Sequence, residues 1–182
     1  MEPLYFNTVN KIKAREIKEI FRDCKCEVRF LRYDVMEILS DNIVEIIRAK
    51  AASAYQFAQL PVIVEHGGLY IEHLKDYPGP LSKPMWDTLE DNICDLIPIN
   101  HSRKARAFSA VCYCDGRRLT HKVEFTEGEI AERGRGDNGF QWDHIFIPNG
   151  ETRTYAEMTQ TEKMKYSQAA KAYRALREVL HV

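Results

Sequence analysis

Apolar residues along this chain recur at two spacings, and the stretches that carry them alternate. Leu4-Tyr5-Phe6 predicts a short strand, followed by the capping-rich turn Asn7-Thr8-Val9-Asn10. From Lys11 to Arg22 a helical stripe carries Ile12, Ile17, Ile20 and Phe21, and Cys26 to Leu31 again reads as strand. Ile43, Ile47, Ala51 and Ala54 step by three and four and predict a helix from Asn42 to Phe57. Pro61 to Val64 predicts a short buried strand closed by Glu65-His66-Gly67-Gly68, and Tyr77-Pro78-Gly79-Pro80 is a turn. Trp86, Leu89, Ile93 and Leu96 mark the inward face of a helix from Pro84 to Ile97. Lys104 to Cys114 and Leu119 to Ala131 predict long strands, and Asp115-Gly116 between them signals a hairpin. Ile145-Phe146-Ile147 is a further strand. The capping box Thr159-Gln160-Thr161-Glu162 opens a last helix to about Leu180, with Ala172, Tyr173, Leu176, Val179 and Leu180 inward.

This order predicts an α/β fold with mixed strands and a central helical insertion, in one domain over residues 1–182. The length suits one domain or one domain with two lobes. A net charge of −1 argues against a broad nucleic-acid footprint, which needs a clustered basic surface. No apolar run approaches a membrane span, and the first residues lack a secretory pattern. The cysteines are Cys24, Cys26, Cys94, Cys112 and Cys114. Their odd count and spacing predict structural thiols in a reducing cytoplasm, and neither Cys-x-Cys pair has zinc-knuckle spacing.

Four groups of residues carry candidate chemistry. Thr8, Asn10 and Lys13 sit between a strand and a helix start, where backbone N–H groups and a cation suit phosphate, although the same residues also serve as ordinary helix caps. Glu37 and Glu65, with His66 beside the latter, suit a hard cation such as Mg²⁺ brought in by phosphates. Lys13, Lys50 and Lys163 together would offset a polyphosphate. In Gly136–Pro148, glycines surround Phe140, Gln141, Trp142 and Asp143: two stacking faces and an acceptor for a donor edge, or alternatively a loop with core aromatics.

Taken in order, these pieces resemble the inosine/xanthosine triphosphate pyrophosphatase family over nearly the whole chain. The family's Thr-x-Asn-x-x-Lys motif is Thr8, Asn10 and Lys13, with Val9 where glycine is usual. Its helix lysine corresponds to Lys50 and its metal-binding glutamate to Glu37. Its acid-acid-small-x-Leu signature reads Glu65-His66-Gly67-Gly68-Leu69, and its base segment reads Gly139-Phe140-Gln141-Trp142-Asp143-His144-Ile145-Phe146. Thr154-Tyr155-Ala156-Glu157-Met158 and Lys163 follow as in the family, while its Ser-His-Arg reads Ser167-Gln168-Ala169.

The resemblance implies a two-lobed domain with a curved mixed sheet and an active-site cleft between the lobes. It implies cleavage of a nucleoside triphosphate to monophosphate and pyrophosphate, with Mg²⁺ or another divalent metal such as Mn²⁺ on Glu37 and Glu65. Lys13, Glu65 and His66 would be catalytic. Thr8, Asn10, Lys13, Lys50, Phe140, Gln141, Trp142, Asp143, Lys163 and Gln168 would bind substrate, and the partner would be a second copy in a homodimer. His66 replaces the family's second acid, so a binding module with lost or altered hydrolysis, acting as sensor or regulatory partner, is the alternative.

Overall fold

The computed structural model describes residues 3–182. Seven strands alternate with five α-helices: β1 Leu4–Asn7, α1 Lys11–Ile20, β2 Val28–Leu31, α2 Ile43–Ala58, β3 Val62–Ile71, β4 Tyr77–Gly79, α3 Ser82–Leu89, β5 Lys104–Cys114, β6 Leu119–Ile130, β7 Phe146–Pro148, α4 Gln160–Tyr166 and α5 Gln168–Leu180. The strands form one open sheet in the order β2-β1-β3-β5-β6-β7, with β4 added to β3. It is mixed. β1 runs parallel to β2 and β3, whereas the β3–β4 and β6–β7 pairs are antiparallel.

The chain divides into two compact units. The first comprises Met1–His66, Ser109–Glu124 and Ala169–Val182, and the second Gly67–Phe108 and Phe125–Gln168. Each has its own core. In the first, Ile47, Ala51 and Ala54 of α2 meet Val62, Val64, Ala110 and Cys112 of the strands. Phe6, Phe21 and Tyr173 add mutual edge contacts at centroid distances of 5.0–6.0 Å. The second core joins Leu69, Ile71, Ile93, Ala107, Ile130, Phe146 and Tyr155.

The structure departs from the sequence pattern at four places. β3 does not stop at Val64; it continues through Glu65-His66-Gly67-Gly68 to Ile71. The glycines there mark close approach rather than a turn. A Cβ on Gly68 would stand 2.7 Å from the Phe108 ring and 2.8 Å from Ser82 Oγ. The expected helix 84–97 is α-helical only to Leu89, then narrows to a 3₁₀ turn over Glu90–Leu96; Ile93 is buried, but Leu96 points outward at 41% exposure. The last helix is broken at Ser167, whose ψ of 122° is extended, so α4 and α5 are separate. Finally, Cys24 and Cys26 precede β2 and are joined in a disulfide, their Cα atoms 5.3 Å apart and within disulfide reach. Cys94, Cys112 and Cys114 remain as buried thiols. Among the described residues, no helix is long and apolar enough to cross a membrane.

Candidate active site

The first unit gathers the charged candidates around β1, α1, α2 and β3. Thr8 follows β1, and its Oγ1 accepts from the Asn10 N–H at 3.2 Å. Asn10 caps α1, its Oδ1 accepting from the N–H groups of Ile12 (2.8 Å) and Lys13 (3.1 Å). The capping and the phosphate readings of this turn thus share the same atoms. Capping fixes the helix start, and the fixed start aims Lys13. Val9 is 72% exposed and is not among the residues with positive φ, so the turn here does not require glycine.

Lys13 Nζ donates to Glu65 Oε2, and Ser109 Oγ donates to the other carboxylate oxygen at 3.0 Å. Burial by itself pushes the Glu65 carboxyl up; the Lys13 ammonium, then Lys50 and the Ser109 hydroxyl, outweigh it and hold it below the ordinary carboxylate range. Lys50 Nζ, on α2, donates to Glu37 Oε1 at 2.6 Å and to the Glu65 backbone carbonyl at 3.1 Å. Glu37 Oε2 lies 3.4 Å from His66 Nδ1. The His66 contact, and after it Lys50, hold the Glu37 carboxyl far below its ordinary range against the opposing effect of burial. Two lysines, two glutamates and a histidine, separated by up to fifty-three positions in sequence, thus form one connected network.

Sequence reasoning missed three contributors to this network. Ser109 is fully buried within an apolar strand; a hydroxyl there needs a partner, and that was the available signal. Asn7 is buried at the end of β1 and exchanges hydrogen bonds with the backbone of Tyr33 (3.0 and 2.8 Å), which anchors the loop that carries Glu37. Tyr173 lies on α5 and is buried, 3% exposed. Burial, and after it the charges of Glu65 and Glu16, push its phenol well up.

As for a metal, no three His, Cys, Asp or Glu residues form a cage among the described residues. Glu37 and Glu65 offer carboxylate oxygens, each already facing a cation or hydroxyl donor. That donor set fits a cation that arrives with phosphates and keeps water ligands, the habit of Mg²⁺, rather than a resident ion in an all-protein site.

The second unit gathers the base-segment candidates. A short 3₁₀ turn spans Gln141–His144. Asp143 Oδ2 accepts from the Phe140 N–H at 2.9 Å and from Lys163 Nζ at 2.7 Å. Lys163 Nζ also lies 5.4 Å from the ring centres of both Phe140 and Tyr155. Phe140 is half-buried and tilted 53° to Trp142 at 6.3 Å. Trp142 itself is 6% exposed and belongs to the hydrophobic core, as the bland reading of this segment anticipated. Gln141 has a φ of 51°, a left-handed conformation that explains why a glycine suits this position. Gln168 Oε1 accepts from the Tyr155 hydroxyl at 3.2 Å, and both side chains are buried.

Known proteins match the chain throughout. The Ham1 family profile covers residues 4–179. A dITP/XTP pyrophosphatase of Saccharolobus solfataricus is 37% identical over 95% of this chain and 91% of its own length. One of Methanopyrus kandleri is 41% identical over 92% and 90%. Among solved structures, a HAM1 protein from Coxiella burnetii superposes with a TM-score of 0.83 at 25% identity, covering 100% of this chain and 99% of that one. By sequence over nearly its whole length and by fold, the chain belongs to the Ham1 family.

Proposed function

We propose that this protein is a nucleoside triphosphate pyrophosphohydrolase that releases monophosphate and pyrophosphate from non-standard purine nucleotides, dITP and XTP foremost. The observation that carries this reading is the Lys13–Glu65–Lys50–Glu37–His66 network, built from the residues that the family resemblance singles out. The relatives are named for that catalysis, which disfavours the binding-only alternative. The first unit offers groups for phosphates, and the second offers an aromatic face and a buried acceptor for a base.

Before substrate arrives, Lys13 and Glu65 neutralise one another. A triphosphate would compete with Glu65 for Lys13, and Glu65 and Glu37 are the carboxylates that would hold a divalent cation. Such a cation would offset charge on the phosphates and acidify a water. Glu37, 3.4 Å from His66 Nδ1, would orient the imidazole by accepting from that nitrogen. Lys50, fixed between Glu37 and the Glu65 carbonyl, supplies a second positive charge that requires no rearrangement. Asp143, held by Lys163 and the Phe140 amide, would accept from the N–H edge of a deaminated purine, and Gln168, where the family has a purine-contacting histidine, accepts from the Tyr155 hydroxyl. The dimer implied by the family is part of this proposal.

The test is pyrophosphate release from dITP, XTP, ITP, ATP and GTP with Mg²⁺, Mn²⁺ or Zn²⁺, in wild type, Lys13→Ala and His66→Asp. Release from the deaminated nucleotides that falls about 10- to 100-fold in Lys13→Ala is expected from the loss of one charge-assisted contact. No release under any condition, or an unchanged kcat/KM in Lys13→Ala, refutes the assignment.

A further inference from the structure

A cleft lined by cations lies on the other flank of α1. Lys11, Arg15 and Lys18 line it from the helix, Arg32 and Phe30 from the β2 side, and the turn 8–10 closes one end, around about 270 Å³. The helical repeat explains the arrangement. Positions 11, 15 and 18 share one face, whereas Lys13 lies on the opposite face, toward Glu65. Arg32 is placed by register: β1 and β2 run parallel with Asn7 beside Leu31, and the Thr8 N–H donates to the Leu31 carbonyl at 3.0 Å. Arg32 therefore sits next to the turn, at the carboxyl edge of the parallel strands, where α/β folds hold ligands.

The four cations of this cleft are solvent-exposed and lie close together. Four cations converge, no carboxylate lines the cleft, and none of the four has an ion-pair partner among the described residues. Lys11 with Arg15, and Arg15 with Lys18, are like-charge pairs at helical contact spacing and oppose helix formation. Lys18 stands 5.7 Å from the ring centre of Phe30, which leaves its ammonium at the cleft wall. The whole chain carries a net charge of −1, so this concentration is local and not part of a generally basic surface. Its size is too small for a nucleic-acid tract and suits a compact, multiply charged anion.

We propose that this cleft binds a condensed phosphate, either inorganic pyrophosphate or the triphosphate tail of a second nucleotide, at a site separate from the Lys13–Glu65 centre and sharing only the turn 8–10 with it. Where it binds the released pyrophosphate, it makes the product a regulator of the enzyme. That last clause rests on the proposed activity; the binding itself does not.

The experiment is calorimetric titration of the full chain with sodium pyrophosphate, alone and with a saturating non-hydrolysable nucleoside triphosphate analogue. The variant is Arg15→Ala/Arg32→Ala. Wild type is expected to take up one pyrophosphate while the analogue is bound, with affinity that falls as salt rises. The double variant should bind pyrophosphate at least about tenfold more weakly, with unchanged affinity for the analogue. A second equivalent of analogue that disappears in the variant identifies a nucleotide tail as the source. Displacement of all pyrophosphate by one equivalent of analogue, or equal pyrophosphate affinity in wild type and variant, overturns the second site. Failure of the analogue to bind removes the proposed function, yet the pyrophosphate titration still reads the cleft.

Discussion

Replacing Lys163 by methionine isolates the buried Lys163–Asp143 ion pair that holds the 140–143 segment. The side chains of Lys163 and Asp143 are 8% and 5% exposed, and their charged atoms are 2.7 Å apart. In the variant, Asp143 Oδ2 keeps only the Phe140 N–H, at 2.9 Å, and no cation. Removing one partner of a buried pair costs about 3–5 kcal/mol, because the remaining charge has no compensation. Losing the cation beside Phe140 and Tyr155 adds about 0.5–1 kcal/mol, while the methionine keeps most of the apolar stem. A total of about 3.5–6 kcal/mol corresponds to a fall in Tm of roughly 7–24 °C for a chain of this size. Thermal and urea unfolding followed by circular dichroism would measure it. Asp143→Asn and the double variant complete the cycle, with an expected coupling of about 1–3 kcal/mol. A Lys163→Met variant within about 1 kcal/mol of wild type, or strict additivity, would show that the pair is not what holds this segment.

Three further outcomes are expected. Because the folded Glu65 carboxyl lies below its unfolded value of 4.5, its stabilising contribution is complete above that pH and is lost as pH falls through the folded value. Glu65→Gln should therefore flatten the acid limb of the urea midpoint below pH 4.5, and parallel limbs would contradict the pairing. Gly68→Ala should destabilise the fold by about 1–3 kcal/mol, since its new Cβ meets Gly79 O, Phe108 and Ser82 Oγ; a midpoint unchanged in denaturant would argue that these neighbours yield freely. Burial pushes the thiols of Cys94 and Cys112 up to about 11 and about 12, and Cys114 is buried with them, so a thiol reagent at pH 8 should label none quickly in the native chain and all three once it is unfolded. Fast native labelling would place at least one of them at the surface.

Local rules made much of this protein readable in one dimension. The helical stripe of α2, the Asn10 cap, the Asp115-Gly116 hairpin and the capping box at Thr159 depend on residues within a few positions of one another, and the structure has each of them. The order of motifs likewise pointed to the family, because its chemistry needs particular residue types at particular strand and helix ends. What the pattern could not express was the set of partners. Glu65-His66-Gly67-Gly68 looks like a turn by composition, and only the approach of Gly79, Ser82 and Phe108 makes it strand. Trp142 could have faced a base or the core, and packing against its second-unit neighbours put it in the core. Ser109 is an ordinary polar residue until the fold brings Glu65 from 44 positions away to accept its hydrogen bond. Short-range propensity is written in adjacent residues, whereas burial, ionisation and the sharing of one carboxylate among distant donors arise only when the chain closes on itself.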